Sequence, residues 1–344
     1  MAPRKKLKHA VAAAAVALLA APAAFAFFAE ASHDRTIALL EDVRAAQDKV
    51  RFAGRKVIES QDGASVYDLR ADRPGRVHAE PVSRPAGARR GGWGGRGARG
   101  RFNDPALIAE NYRLDGRPPE LIAGRKAERF ALLPRHAGRA SYEFAVDRQN
   151  RFLLAFRATA PDGTKLYESR YESIEFDPAP RAEEKSPAKP GTSRLPQERS
   201  GRVVRERVQK EEDLRGVMPF AVFTPAWTPP GFKLRGVDRF KIRDLGESVV
   251  SRWSDGMVGI HMVQTEAETP GWELFRGAYL GLPEAPPPAT PLGGPVAWRI
   301  RYPGGALLDV ALDGTEILIG GQIEPDELKK MADHLRNIES PSHR

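Results

Sequence analysis

The chain has 344 residues, of which 41% are hydrophobic and 29% are charged, and its net charge is +9. This length suits two ordinary domains, and the absence of cysteine excludes disulfides, thiolate nucleophiles and cysteine metal sites. Ten basic residues and no acid lie in the first eight residues and in segment 83–101, so the rest of the chain is close to neutral. This distribution argues against nucleic acid as a partner, because no general basic surface remains to bind phosphates.

The N-terminus has the pattern of a secretory signal. A basic stretch, Arg4 to Lys8, precedes an apolar run from Ala10 to Phe28, and Ala24-Phe25-Ala26 fits a small-x-small cleavage site. We therefore expect residues 1–26 to be a signal peptide. An uncleaved anchor in the inner membrane is the alternative, since the apolar run is just long enough to span a bilayer.

A first domain, mainly β, is predicted over residues 30–177. An apolar stripe from Leu39 to Val50 indicates an amphipathic helix that starts near Asp34. The pattern then changes to period two, which is typical of strands. The clearest antiparallel meander runs from Tyr142 to Phe176. Asp-Gly pairs are strong hairpin signals, and five of them mark predicted turns: Asp62-Gly63, Asp115-Gly116, Asp162-Gly163, Asp255-Gly256 and Asp313-Gly314.

Aromatic and aliphatic residues alternate along the strands of this meander, with Phe152, Leu154 and Phe156 read as one face of a strand. Such a face usually lines a core. However, a single helix that covers a curved sheet incompletely leaves an apolar pocket. The candidate pocket residues are Val66, Tyr67, Phe130, Tyr142, Phe144, Phe152, Leu154 and Phe156.

Segment 83–101 interrupts the strands with arginine and glycine and cannot bury a core, so we interpret it as a long loop. A solvated loop is the simplest interpretation. The alternative is contact with anionic lipid or lipopolysaccharide headgroups, because clustered arginine binds phosphate well. The candidates for that contact are Arg89, Arg90, Arg96 and Arg99.

A proline-rich, charged linker is predicted over residues 178–214, with a short helix near Val203 to Leu214. The second domain, residues 215–339, shows alternating strands and ends in a helix that starts with Pro325. We expect the linker to let the two domains fold independently, so that a protease would release two folded fragments.

No catalytic constellation is visible in the sequence. None of the seven histidines pairs with another at a metal-ligand spacing, and no Gly-x-Ser-x-Gly nucleophile motif occurs. We therefore predict a protein that is not an enzyme.

The order of several short motifs resembles the RseB/MucB family of sigma-E regulatory proteins, whose first domain is similar to the lipoprotein carriers LolA and LolB. Two departures are Thr228, where the family has leucine, and segment 83–101, which looks like an insertion. In the first domain the resemblance rests on Phe52-Ala53-Gly54, Val66-Tyr67, Tyr112-Arg113-Leu114, Leu121 to Ala127, Pro134-Arg135-His136, Ala145 to Arg148, Leu153-Leu154 and Ile174-Glu175-Phe176. In the second domain it rests on Pro225 to Phe232, Trp253 to Met257, Ile319-Gly320-Gly321 and Ile323-Glu324-Pro325.

The resemblance implies an unclosed antiparallel β-barrel covered by a helix, followed by a smaller domain of antiparallel sheet and helix. It also implies a periplasmic regulator that binds the exported domain of a membrane-bound anti-sigma factor and releases it when lipid-like stress signals bind. A member of this family would need no metal or redox cofactor. A LolA-type lipid or lipoprotein carrier is the alternative, and homo-oligomerisation is left open. The rigid Pro229-Pro230-Gly231 turn either pins its flanking aromatics to the core or presents them to a partner. The partner-binding candidates are Trp227, Pro229, Phe232, Trp253 and Asp255.

The signal pattern makes a direct prediction about processing. The mature protein should begin at or near Phe27 and lie outside the cytoplasm, because the cleavage pattern ends at Ala26. N-terminal sequencing of the processed protein checks this. An intact Met1 on a soluble cytoplasmic protein would contradict it.

Overall fold

The structure is a computed structural model that describes residues 33–60, 63–73, 76–85, 102–179, 203–242, 246–267, 290–291, 296–302 and 305–339. Within these ranges the chain forms two eight-stranded antiparallel sheets and one small two-stranded sheet. The predicted signal peptide lies outside the described residues. So do the headgroup candidates Arg89, Arg90, Arg96 and Arg99.

The first sheet is built from eight strands in the order β3-β2-β1-β8-β7-β6-β5-β4. Strands β1 and β8 lie third and fourth in this order, so the first strand of the domain pairs with its last. The strands are β1 Phe52–Ser60, β2 Gly63–Arg73, β3 Arg76–Ser83, β4 Tyr112–Ile122, β5 Arg125–Pro134, β6 Ser141–Asp147, β7 Leu153–Thr159 and β8 Lys165–Phe176.

This sheet curls without closing, which confirms the predicted unclosed antiparallel barrel. Strand β4 ends the sheet, yet Arg170 on β8 reaches across to it. The Arg170 guanidinium donates to the Glu120 carboxylate at 3.1 Å and to the Leu121 carbonyl at 3.2 Å. The register of β4 against β5 shifts between Arg117 and Glu120, around Pro118-Pro119. Proline supplies no N–H to a ladder, so a bulge at this point is expected.

Two helices accompany the first sheet, α1 at residues 33–49 and α2 at Pro105–Asn111. The helix α1 confirms the predicted amphipathic helix. Leu40 and Val43 are fully buried in the same hydrophobic cluster as the aromatic residues of β6 and β7. The stripe is shifted slightly from the prediction, since Leu40 rather than Leu39 is fully buried.

The second sheet has eight strands in the order β14-β15-β16-β17-β13-β12-β11-β9, so it is not smaller than the first by strand number. Strand β10 pairs separately with β18. The strands are β9 Val203–Val208, β10 Phe223–Pro225, β11 Lys233–Ile242, β12 Gly246–Ser254, β13 Gly259–Glu266, β14 Thr290–Pro291, β15 Val296–Tyr302, β16 Gly305–Leu312, β17 Thr315–Gly321 and β18 Leu335–Asn337.

The predicted linker is too long at its C-terminal end. Residues Val203–Val208 form strand β9 rather than part of a helix, and they pair with β11 at the edge of the second sheet. Only Glu211–Leu214 are helical, as a single 3-10 turn. The valines of this segment prefer an extended backbone, and the sheet edge supplies the pairing that local sequence did not reveal.

The last helix, α3 at Pro325–Asp333, packs on the second sheet through buried Leu328, Met331 and Ala332. Burying a leucine or methionine side chain contributes about 1.5–3 kcal/mol. The helix ends at Asp333, and Leu335 lies in β18.

Four of the five Asp-Gly pairs lie where one strand turns into the next, with Gly63, Gly163, Gly256 and Gly314 at positive φ. The pair Asp115-Gly116 was predicted wrongly, because it lies inside strand β4. It pairs in register with Ala131 and Phe130 of β5, so cross-strand pairing overrides the local turn preference.

The interpretation of Phe152, Leu154 and Phe156 as one face was also wrong. The pairing of β6 with β7 contains a bulge, after which Val146 opposes Leu153. An extra residue reverses the side-chain alternation. Phe156 therefore joins one hydrophobic cluster, and Phe152 and Leu154 join another.

Glu211 is a buried carboxyl in the second domain, 3% exposed. Burial raises its pKa above the ordinary value of 4.5. Leu214 on the same 3-10 turn lies in the cluster with Val222, Val237 and Val249, which supplies the apolar surroundings. A buried carboxyl without a paired cation favours its neutral form.

The Glu211→Gln variant should be more stable than the wild type at neutral pH. Because the pKa of Glu211 is raised in the folded state, this carboxyl contributes to the free energy of unfolding. The contribution is complete below the ordinary pKa of 4.5 and is lost as the pH rises through the folded-state pKa. The neutral amide removes that loss, so Tm at pH 7 should rise by a few degrees, roughly the effect of 1 kcal/mol. Thermal unfolding from pH 4 to 8 measures it. Glu41→Gln, at an exposed position of α1, is the control and should change nothing.

Candidate functional site

The aromatic face of the first domain is filled by the protein itself. Phe144 and Phe156 are both 2% exposed. The ring of Phe102, which immediately precedes α2, lies 5.3 Å from that of Phe144 and 6.4 Å from that of Phe156, measured between centroids. Tyr142 stacks on Phe156 at 5.8 Å. These residues form one aromatic cluster, in which the Phe102 ring contacts the rings of both Phe144 and Phe156.

Of the remaining pocket candidates, Phe130 lies at the margin of this cluster and the other four lie apart from it. Phe130 is half-buried and stacks on Phe144 at 5.5 Å. Val66 and Tyr67 are half-buried on β2, where Arg84 lies 5.1 Å from the centre of the Tyr67 ring. Phe152 and Leu154 pack in the second cluster with Phe52, Ile122 and Tyr171. The structure therefore brings together three of the eight candidates, with Phe130 at their margin.

A cavity of about 360 Å³ lies beside the turn between β5 and β6. Its polar lining includes Arg135, His136 and Arg139, and Ala160 and Pro161 close its other side. None of the eight pocket candidates lines it. Its position next to Arg139 places it at the border of the two domains.

Helix α2 lies between the two sheets, and its last residue holds them together. The Asn111 side-chain amide donates at 3.0 Å to the carbonyls of Leu107, Gly231 and Asp255. Its oxygen lies 3.1 Å from His136 Nε2. Asn111 is 4% exposed, so these bonds form away from water. A buried amide with its partners present is stable, whereas one without them is costly.

The next residue makes a second buried bond across the same interface. The Tyr112 hydroxyl donates to Asp255 Oδ2 at 2.7 Å, and the two side chains are 1% exposed. Burial, together with the nearby Tyr142 and Asp255, raises the pKa of Tyr112 well above its ordinary value. The hydroxyl therefore keeps its proton throughout the physiological range. We call the bonds among Asn111, Tyr112, Gly231 and Asp255 the latch.

Two glycines of the second domain are required by the close approach of α2. A Cβ at Gly231 would lie 2.1 Å from Asn111 Oδ1, and a Cβ at Gly256 would lie 2.8 Å from the Ile108 nitrogen. Both glycines also have positive φ, at +84° and +100°. These are the glycines of Pro229-Pro230-Gly231 and Asp255-Gly256, so the turn residues of both motifs serve the interface.

A charged contact supports the latch from the first domain. Arg139, 4% exposed, forms an ion pair with Glu327 on α3 and donates to the Pro230 carbonyl at 3.4 Å. Its guanidinium also lies 5.0 Å over the ring of Phe232. Breaking a buried pair by removing one partner leaves an uncompensated charge, which is strongly destabilising.

Most of the predicted partner-binding residues lie in the interior. Phe232, Trp253 and Asp255 are 7%, 5% and 1% exposed, and Pro229 is also buried, so these four do not form an exposed surface. Trp227 alone is half-buried, with Lys330 Nζ 4.3 Å from its ring centre. Phe232 and Asp255 contact the first domain instead, which the expectation of two independent domains did not foresee.

Sequence reasoning missed the first-domain side of this interface. Tyr112 belonged to a motif of the resemblance, but nothing in the sequence pairs it with Asp255, 143 residues away. Asn111 and Arg139 carry no local signal. A polar residue before an apolar strand is common in protein sequences. The partners of Asn111 become apparent only when α2 packs against the second domain.

In the parts of the chain that the structure describes, no group of three or more His, Asp or Glu side chains is arranged to hold a metal ion. The helices in the same ranges are all too short or too polar to cross a membrane. The site thus consists of an aromatic cluster, a latch and the helix between them.

These features define a class: a two-domain fold in which a half-barrel is joined to a sheet-and-helix domain through a buried polar interface. No protein-family model matches the chain, and no curated protein matches it. Among solved structures, this fold is that of MucB. MucB in complex with MucA(peri) is similar with a TM-score of 0.53 and 17% identity, covering 89% of this chain and 100% of that chain.

Two further structures agree. The MucA/MucB complex of Pseudomonas aeruginosa gives a TM-score of 0.56 with the same identity and coverage. MucB alone gives 0.51, at 17% identity, with 88% of this chain and 98% of that chain covered. The resemblance to RseB/MucB proteins is therefore confirmed at the level of the fold, over both domains.

The Tyr112→Phe variant should loosen the latch without unfolding the domains. The change leaves the Asp255 carboxylate buried without one donor, which costs about 1–3 kcal/mol. Hydrogen exchange of the Met257 and Val258 amides, which both donate to Asp255 Oδ1, should become roughly five- to a hundredfold faster.

Tyr67→Phe, at a half-buried tyrosine far from the latch in sequence, is the matched control and should leave exchange at this turn unchanged. Amides in β6 and β7 report on global stability. Equal acceleration there and at the turn would mean that the Tyr112 hydroxyl stabilises the whole chain rather than the latch.

Proposed function

We propose that this protein is a periplasmic regulator that binds the exported domain of a membrane-bound anti-sigma factor. We further propose that a lipid-like ligand of the half-barrel weakens this binding. The main support is that the MucB fold extends over both domains of this chain, and that MucB has been solved with MucA(peri) bound. The aromatic cluster supplies apolar side chains of the kind that line acyl-chain sites.

The most accessible candidate for partner contact is the surface around Trp227. Its ring is half-buried against Lys330 and His334 on and after α3, with the His334 ring centre 6.4 Å away. The Ala226 amide donates to the His334 carbonyl at 2.8 Å, which ties the residue before Trp227 to the end of α3. Tryptophan is enriched among the few residues that dominate the energy of protein interfaces.

The proposal also explains why the second domain is needed. A lipid carrier requires only the half-barrel, yet here the half-barrel is joined to a second domain by buried polar bonds. A ligand in one domain can alter partner affinity in the other only if the two arrangements of the domains bind the partner differently. The required coupling is modest, about 1–3 kcal/mol.

The decisive experiment is a titration of the purified mature protein with the exported domain of a membrane-bound anti-sigma factor, with and without acyl-chain lipid or lipopolysaccharide. We expect binding that the lipid weakens. Trp227→Ala should weaken the binding roughly tenfold or more, as for an interface aromatic. Leu121→Ala, which removes an exposed apolar side chain from the first domain, is the control and should have no effect.

The possible failures are distinct. Undetectable binding at high micromolar concentration would remove the regulator function. Binding that is indifferent to lipid would keep the partner and remove the sensor. Lipid transfer between vesicles without partner binding would favour the LolA-type carrier instead.

A further inference from the structure

We propose that an acyl chain binds in the space that the Phe102 side chain fills, and that displacement of Phe102 opens the latch through helix α2. This inference rests on the proposed function for the class of ligand. It adds where that ligand binds and how its binding reaches the second domain.

Phe102 occupies the position that an apolar ligand would take. It is 1% exposed and contacts the rings of Phe144 and Phe156 within the aromatic cluster. Leu40 and Val43 of α1 belong to the same cluster, so the surroundings of this ring are apolar. A polymethylene chain in the same place would restore the burial and dispersion contacts that Phe102 gives up.

Phe102 is also easier to displace than its neighbours in the cluster. Phe144 and Phe156 lie within paired strands of the sheet, whereas Phe102 lies in the turn before α2. Moving Phe144 or Phe156 would break the ladder between β6 and β7. Moving Phe102 breaks no sheet pairing, so this residue can act as a removable plug.

Helix α2 connects the plug rigidly to the latch. Its N-terminus is capped by Asp104, whose carboxylate accepts from the Leu107 amide at 3.0 Å and whose carbonyl accepts from the Ile108 amide at 3.0 Å. The helix spans seven residues, about 10 Å. A displacement of Phe102 therefore moves the whole helix instead of being absorbed in a flexible segment.

The far side of α2 contacts the second domain along its full length. Asp104 pairs with Arg235 at 2.7 Å, and Glu110 pairs with Lys233. Ile108 lies against Gly256 so closely that no Cβ would fit there. Asn111 ends the helix with its bonds to Gly231 and Asp255.

Because of these contacts, a small movement of α2 would release the latch. Hydrogen bonds lose strength steeply with distance and angle, and packed interfaces have discrete arrangements instead of deforming continuously. A shift of α2 by a fraction of a helical turn would separate Asn111 from both carbonyls of the second domain. The bond from Tyr112 to Asp255 would follow, because Tyr112 is the adjacent residue.

The test uses the mature full-length chain and dansyl-labelled undecanoic acid as the probe. Binding is followed by probe fluorescence, and latch opening by hydrogen exchange of the Met257 and Val258 amides. In the wild type, saturating probe should accelerate exchange at these amides several-fold. In Phe102→Ala the plug is absent, so the probe should bind roughly tenfold more tightly or better, because no minor open state need be populated first.

Phe152→Ala is the matched control. Phe152 is as buried as Phe102 and also packs among aromatic rings, but it lies in the second cluster, away from α2. Its loss should leave probe affinity and the response of the latch as in the wild type. Phe102→Leu keeps part of the burial and should give a smaller gain in affinity, so the test survives if Phe102→Ala is poorly folded.

Two results would overturn the inference alone. The first is wild-type affinity for the probe in both Phe102 variants, which would place the acyl chain elsewhere. The second is unchanged exchange at Met257 and Val258 when the wild type is saturated, which would remove the link to the latch. Absence of probe binding in every variant would instead remove the inference together with the lipid-sensing part of the proposed function.

Discussion

The arrangement of the two domains depends on the buried side chain of Asn111. Its two amide hydrogens serve three carbonyls, so one hydrogen is shared, and two of those carbonyls belong to the second domain. An amide in such a position tolerates only one relative placement of its partners, since a misplaced domain would leave buried polar groups unpaired. Apolar packing brings the sheets together, and Asn111 determines how they are oriented.

Apolar and polar contacts have different effects on the arrangement of the two domains. One hydrophobic cluster runs from Leu40 and Phe144 in the first domain to Ile317 and Leu328 in the second, so most of the stabilisation is non-directional. The latch and the Arg139–Glu327 pair add little net free energy against water, but they are directional. The structure therefore combines a stable contact with one whose geometry a ligand can disturb.

Local pattern was sufficient for much of the fold. Helix α1, the β6 to β8 meander and four Asp-Gly turns follow from periodicity and turn chemistry, which act over a few residues. The predictions failed where pairing with a strand distant in sequence overrode the local preference. Asp115-Gly116 is held extended by β5, segment 203–208 is recruited by the edge of β11, and a single bulge in β7 moves Phe152 and Leu154 to the other face.

The candidate site was less accessible to sequence reasoning than the fold. The motifs around Trp227 and Asp255 were recognised as important, with the core of their own domain and an external partner as the alternatives. A contact with the first domain was not considered, whereas Asp255, Gly231 and Gly256 contact α2. A turn with an invariable geometry looks alike in sequence whether it is fixed for a partner or for another domain. The distinction depends on which surface lies opposite, and no local pattern encodes this.

The prolines in the edge strands of the half-barrel affect how the protein behaves at high protein concentration. Both outer strands of this sheet contain proline, Pro81 in β3 and the Pro118-Pro119 pair in β4. A residue without an N–H cannot template another chain, and Arg170 already occupies the carbonyl of Leu121. The two edge strands of an open barrel could otherwise pair with other copies of the chain and form polymers. The sheet of this protein is unclosed, yet its edge strands are protected from amyloid-like self-assembly.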